Sequence, residues 1–191
     1  MQRLKNIFFS LALIFFLGCL PEVDTIDPAS IVEWENYTIS DGLAGNQVNA
    51  ITEDYLGNLW IATDNGVSKF DGTNFTNYTT SDGLAGDSVT SIIEYEPDLM
   101  VCGTNGGLSV MENGSWNYVD LGVFYKVISL GVDSDGYGWI GTDNYGLLLT
   151  DGVDFYQVWD DECLYCNMVN TMYLDSQGTM WFGTYDGLKS L

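Results

Sequence analysis

The sequence has no histidine, and only 5 of its 191 residues are Lys or Arg, against 27 Asp and Glu. Without imidazole, Ser-His-Asp and Cys-His nucleophile activation, His-ligated zinc and imidazole acid-base chemistry are excluded. Two of the cations, Arg3 and Lys5, precede every acidic residue, so the rest of the chain holds only Lys69, Lys126 and Lys189 and no arginine. A body this poor in cations cannot neutralise phosphates, which excludes nucleic acid and polybasic contact with a membrane surface. What is present argues against disorder: 46% of residues are apolar and 14% aromatic, enough for a packed core. At this length one compact domain is expected.

The amino terminus reads as an export signal. Arg3 and Lys5 are followed by an apolar run over residues 7–17 and then Gly18 and Cys19, a plan too short for a comfortable membrane span and suited to a signal peptide. Phe16-Leu17-Gly18-Cys19 resembles a bacterial lipobox, which implies cleavage after residue 18 and lipidation of Cys19. Plain secretion and an uncleaved anchor are the alternatives, because Phe16 stands where an aliphatic residue is usual. Residues 1–18 are thus expected to be a lipoprotein signal peptide, and residues 19–31, with two prolines and three acids, an acidic tether.

From there the chain is periodic. Residues 36–45, Asn-Tyr-Thr-Ile-Ser-Asp-Gly-Leu-Ala-Gly, recur almost unchanged at 77–86. Anchoring on Val48, Val89, Val127 and Val169, the position twelve residues on is Trp60, Val101, Trp139 and Trp181. Two further come Ala62, Gly103, Gly141 and Gly183, followed by Thr63, Thr104, Thr142 and Thr184. Each unit reads as four short strands; in the first they are residues 48–53, 59–63, 67–70 and 75–78, punctuated by Asp, Asn and Gly turns. Small residues at fixed places suit sheets that approach closely near an axis. Four-stranded units repeating near forty residues are the signature of β-propeller blades. The fold class is therefore all-β, a propeller of four four-stranded blades over residues 32–191. Residues 34–39 align with the fourth strand of a blade, while the last unit stops after its third. Two arrangements follow: residues 34–39 pair beside residues 188–191 and close a four-bladed ring, or the chain is an open arc of a larger one.

The run Asp54-Tyr55-Leu56-Gly57-Asn58-Leu59-Trp60-Ile61-Ala62-Thr63-Asp64-Asn65-Gly66, echoed at Asp133 to Thr142 and Asp175 to Thr184, resembles the two-component regulator propeller repeat. That resemblance implies the extracytoplasmic sensor half of hybrid histidine kinases, built of such repeats and recognising carbohydrate or other extracellular ligands. No kinase or receiver is encoded in this sequence, so the recognition module alone carries over. The second unit departs from the pattern, with Tyr95 in place of the aspartate and Val101 in place of the tryptophan.

Asp54, Asp133 and Asp175 are the most tempting carboxylates, but their recurrence beside a turn glycine favours capping of hairpins. Asp133-Ser134-Asp135-Gly136 resembles the start of a calcium loop, yet Asn144 occupies the twelfth position, where a bidentate Glu is required. No cofactor and no built metal site are expected, only weak calcium binding by clustered acids. Trp60, Trp139 and Trp181 are expected between blades rather than as sugar platforms. The ligand-binding candidates are on loops that a propeller gathers at one face: Asn46, Asp64, Asp87, Asn105, Tyr125, Asp143, Tyr145, Asn167 and Tyr185. Tyr145 is an inserted residue, and an insertion in one repeat of an array marks a binding face. Cys102 replaces Ile61 and Ile140 and reads as a buried filler. Cys163 and Cys166 suit a local disulfide in an oxidising compartment; three neighbouring acids, Asp160, Asp161 and Glu162, oppose a reactive thiolate.

The function expected is a non-catalytic, lipid-anchored propeller of the bacterial cell envelope that binds an extracellular glycan or an envelope protein. It would touch the membrane through its anchor alone. The alternatives are a structural remnant of a sensor gene and a glycan-active enzyme working with carboxylates alone. Propeller lyases of similar repeat type use histidine, which this chain lacks.

Overall fold

A computed structural model describes residues 34–121, 125–158 and 168–191. The expected signal peptide and tether, Cys19, Cys163, Cys166 and Asn167 lie outside the described residues. Tyr37–Leu191 forms one compact unit, which the account below concerns.

Among the described residues, fifteen strands form four antiparallel sheets in strict chain order. The first blade is β1 (Val48–Glu53), β2 (Leu59–Thr63), β3 (Gly66–Phe70) and β4 (Phe75–Tyr78). The second is β5 (Val89–Glu96), β6 (Leu99–Thr104), β7 (Gly107–Glu112) and β8 (Ser115–Val119). The third is β9 (Val127–Val132), β10 (Gly138–Thr142), β11 (Leu147–Thr150) and β12 (Phe155–Gln157). The fourth has β13 (Val169–Leu174), β14 (Met180–Thr184) and β15 (Gly187–Ser190).

The repeat columns explain why the sheets stack. Side chains on the two faces of a strand alternate, so each blade buries one set of residues against the blade before it and the other against the blade after. Three apolar clusters result: Trp60, Val67, Val89 and Met100 at the first junction, Val101, Val127 and Ile140 at the second, Trp139, Val169, Met180 and Phe182 at the third. The small residues are needed where they were expected. A Cβ on Gly103 would collide with Val127, and one on Gly141 would lie 2.8 Å from the Val169 carbonyl oxygen.

The innermost strands carry a feature the periodicity does not reveal. In all four blades the register slips beside the anchor valine, between Val48 and Ala50 in the first, as a β-bulge leaves one residue unpaired. Freed from the ladder, Asn49 donates its amide to the Val89 carbonyl at 2.7 Å, and the Thr90 hydroxyl donates to the Val127 carbonyl. In the third blade the bulged residue is the apolar Ile128, and its neighbour Ser129 makes the link instead, 2.6 Å to the Val169 carbonyl. Each blade is thus latched to the next through an anchor valine.

The ring closure expected at residues 34–39 is not formed. Residues 34–38 adopt no strand, Ile39–Asp41 is a 3-10 turn, and β15 pairs with β14 alone among the described strands. The physical reason is local. The Tyr37 ring packs 5.4 Å from Phe70 and 5.7 Å from Phe75, and a capping box between Thr38 and Asp41 fixes the turn that follows. Among the described residues the fourth blade therefore has three strands. Val89, Val127 and Val169 are 0% exposed beneath the preceding blade, whereas Val48 is 43% exposed. At the other end Leu188 is 69% exposed, while its counterparts Val67, Leu108 and Leu147 are at 3% or less.

Candidate functional site

The recurring aspartates are structural. Asp54 sits at a hairpin turn, where its Oδ1 accepts the backbone N–H groups of Leu56 and Asn58, and its Oδ2 accepts the Trp60 indole N–H at 2.9 Å. Asp133 and Asp175 repeat the arrangement, each accepting an indole N–H at 2.8 Å, from Trp139 and Trp181. Burial opposes the ionisation of Asp54, but bonds from Trp60 and Asn58 and the charge of Lys69 outweigh it and hold the carboxyl below its ordinary range. The Trp181 bond, foremost, does the same for Asp175. A carboxylate so engaged is a poor general acid. Asp133 is engaged by the hairpin, accepting from the backbone N–H groups of Asp135 and Tyr137 on Oδ1 and from the Trp139 indole on Oδ2. Among the described residues no group of three or more Asp, Glu or Cys is placed to hold a metal ion. The second blade loses both partners together: Tyr95 replaces the acid and Val101 the indole, and the Tyr95 hydroxyl donates instead to the Gly136 carbonyl at 2.7 Å.

The turn after the second strand of each blade is built with equal regularity. The threonine hydroxyls of Thr63, Thr104, Thr142 and Thr184 donate to the carbonyls of Gly66, Gly107, Gly146 and Gly187. The next residue then ties this turn to the loop entering the blade. The N–H groups of Asp64, Asn105, Asp143 and Tyr185 donate to the carbonyls of Gln47, Ser88, Lys126 and Met168 at 2.9–3.2 Å. Four of the candidate residues therefore occupy one equivalent position. The entering loop is pinned as well, with Ala44 and Ala85 donating to the Ser68 and Ser109 hydroxyls at 2.9 and 2.8 Å. Gly45 and Gly86 have no room for a Cβ because the Asp64 and Asn105 side chains lie against them.

The remaining candidates divide. Asn46 and Asp87 are spent on their own loops, where they accept the N–H groups of Ile39 and Thr80 at 2.9 and 2.7 Å. Tyr125 is buried in the second junction rather than presented to solvent, with its ring centroid 4.5 Å from that of Tyr145. Burial, reinforced by Tyr145, pushes its hydroxyl up to about 12. Asn105 and Tyr185 are exposed. Asp64 differs from all of them: its Oδ1 is buried and has no hydrogen-bond partner, a position that calls for an explanation in a folded protein. Cys102 is buried, as expected, and burial pushes its thiol well above the ordinary range.

With the geometry established, comparison with known proteins is informative. No curated protein shows significant sequence similarity to the chain. The family model of the two component regulator propeller matches residues 42–65 and 166–186. Among solved structures, the extracellular domain of BT3049, named as a hybrid two component system of B. thetaiotaomicron, superposes with a TM-score of 0.65 at 23% identity, covering 78% of this chain and 21% of that one. PorZ, a bacterial surface component of the type-IX secretion system of Porphyromonas gingivalis, gives 0.57 at 19% identity, over 83% of this chain and 28% of that one. Virginiamycin B lyase from Staphylococcus aureus gives 0.57 at 14% identity, over 77% of this chain and 56% of that one. The chain spans well under two thirds of each of these structures, and at such identities the likeness is one of fold. The matched segments contain the Asp54 hairpin of the first blade and the Asp175 hairpin of the fourth, two of the three units whose carboxylate and indole are bonded. Those two segments match the two component regulator propeller model, and the chain as a whole is similar to such propellers in fold.

Proposed function

We propose that the chain is a non-catalytic recognition module of the bacterial cell envelope, exported and held at the membrane by a lipidated Cys19. Its binding face is the row of turns carrying Asp64, Asn105, Asp143 and Tyr185, with Tyr145 beside them. The observation that carries this reading is one turn position repeated in all four blades, where Asp64, Asn105, Asp143 and Tyr185 make the same backbone bond to the entering loop and Asn105 and Tyr185 are exposed. Hydroxyl-rich ligands pair with carboxylates and amides of this kind, and the exposed Tyr185 ring offers them a stacking surface. That similar folds serve as the extracellular domain of BT3049 and as the surface protein PorZ supports an extracytoplasmic setting and recognition rather than turnover. The similarity to a lyase is weaker in identity, and the sequence has no histidine.

The test is binding of the exported protein to a glycan array and to envelope extracts, with Asp64→Ala and Tyr185→Ala alongside. Binding that falls at least tenfold in Asp64→Ala supports this face; binding untouched by both variants removes it. Mass spectrometry of the membrane fraction should find an acylated Cys19, and an unmodified soluble form would remove the anchor.

A further inference from the structure

Between the second and third blades lies a cavity of about 290 Å³. Its origin can be read from the repeat. At the first junction the space at this level is filled by Trp60 from one blade and Met100 from the next, and at the third by Trp139 and Met180. At the second junction both fillers are lost: Val101 stands in the tryptophan column and Gly138 in the methionine column. The Tyr95 ring leans over Gly138, where a Cβ would come within 3.1 Å of it, but it replaces only part of the missing volume. Val110 replaces Lys69 at the same level, so the wall is apolar where the first blade presents an ammonium group over its indole. What is left is a space lined by Ile93, Val101, Val110, Leu130, Ile140 and Phe155, with Glu112 the sole charged residue in its lining among the described residues.

We propose that this cavity is a binding site for the aromatic ring of a small neutral or cationic molecule, an aromatic amine above all. The shape argument is that sister junctions of the same fold fill this level with an indole and a thioether, so a flat ring of that size fits between the sheets. Volume agrees, since an apolar cavity of about 150 Å³ is enough to take up benzene. The charge argument is that a lone carboxylate at Glu112, on a strongly acidic protein, attracts an ammonium group and repels a carboxylate. The site is separate from the row of turns proposed above and does not depend on it.

The experiment titrates the full chain with indole, tryptamine and indole-3-acetate. Calorimetry follows binding, with the NMR shifts of the Val101 and Ile140 methyl groups, which line the cavity, as a second readout. Expected are saturable binding of indole and tryptamine with a Kd below about 1 mM and at least threefold weaker binding of indole-3-acetate. Val101→Trp restores the missing indole and should abolish binding while the protein keeps its native circular dichroism. Should Val101→Trp fail to fold, Val101→Phe serves the same purpose with less volume. Glu112→Gln should erase the preference for tryptamine over indole-3-acetate without loss of indole binding. Absence of saturable binding by all three compounds overturns the proposal, as does binding that survives in a folded Val101→Trp or Val101→Phe.

Discussion

Replacing Asp54 by Ala should show how much of the fold rests on the carboxylate–indole bond. Asp54 accepts from the Trp60 indole at 2.9 Å, from the Asn58 backbone N–H at 2.8 Å and from the Asn58 amide at 2.8 and 3.0 Å. Trp60 is 2% exposed and cannot turn its N–H to solvent. The orphaned indole therefore costs about 1–3 kcal/mol, and the lost turn bonds about 1 kcal/mol net. The ion pair to Lys69, at 3.7 Å with a partly exposed ammonium, adds less than about 0.5 kcal/mol. The total is roughly 3 kcal/mol, equivalent to a fall in Tm of about 9 °C for a unit of this size. Urea denaturation and calorimetry at pH 7 measure it. Trp60→Phe and the double variant complete a cycle whose coupling should be about 1–2 kcal/mol. Asp54→Asn, which keeps an acceptor, should lie between wild type and Asp54→Ala. A loss below about 0.5 kcal/mol for Asp54→Ala, or a coupling near zero, would refute the reasoning.

Other consequences are as direct. Folded-state carboxyls of Asp41, Asp54 and Asp175 are held below the ordinary 3.8. Their stabilisation is therefore complete above that value and lost as pH falls through the lower folded values; the urea midpoint should be flat near neutrality and drop below about pH 4, less steeply in Asp54→Asn. Gly103→Ala should destabilise by about 1–3 kcal/mol, because its Cβ meets Val127 and lies 2.7 Å from the Ser91 hydroxyl; an unchanged melting temperature would show that the junction yields. Asn49→Ala, which unlatches the first blade from the second, should cost about 1 kcal/mol and raise amide exchange in β1 and β5. Calcium titration should leave the melting temperature unchanged, since the Asp133 oxygens are engaged by the hairpin; a rise would return Asp133 to consideration as a ligand.

Strand positions were legible in the sequence because four copies average out local ambiguity: the expected third strand of the first blade at 67–70 gains only Gly66 at its start. The capping role of Asp54 was legible as well, but its bond to Trp60 was not read, although the joint loss of the two columns at Tyr95 and Val101 was the available signal. The bulge and its latch could not be read, since residue identity varies among Asn49, Thr90 and Ser129 and the geometry depends on register. Closure failed as an expectation because the alignment of residues 34–39 with a fourth strand specifies a sequence preference, and the partner edge is decided by where the Tyr37 ring finds aromatic neighbours. In the candidate site, the structure gives Asp64, Asn105, Asp143 and Tyr185 one equivalent turn position, a grouping the repeat columns already contain. Tyr125 escaped that logic because its burial arises from stacking on Tyr145 and from the second junction, neither of which belongs to the repeat.

The three junctions amount to a comparison made within one chain. They share the bulge latch, the buried anchor valine and the small residue in the second strand, and they differ in what fills the outer half. Where the indole is present it brings both apolar burial and a bond to a hairpin carboxylate; where it is absent the acid is absent too, because an aspartate at that turn would lose its indole donor. Filling the space should therefore restore only part of what a full junction supplies. Val101→Trp recovers the burial, about 1–2 kcal/mol after the N–H is left without its acceptor. The pair Tyr95→Asp with Val101→Trp should recover more than the sum of the single changes, because Asp alone gains no indole and Trp alone no carboxylate. A favourable coupling of about 1 kcal/mol or more in that cycle would show that the second blade gave up a complete structural unit rather than two unrelated residues. Strict additivity would show that the two columns drifted independently, with the vacancy owed to Val101 and Gly138 alone.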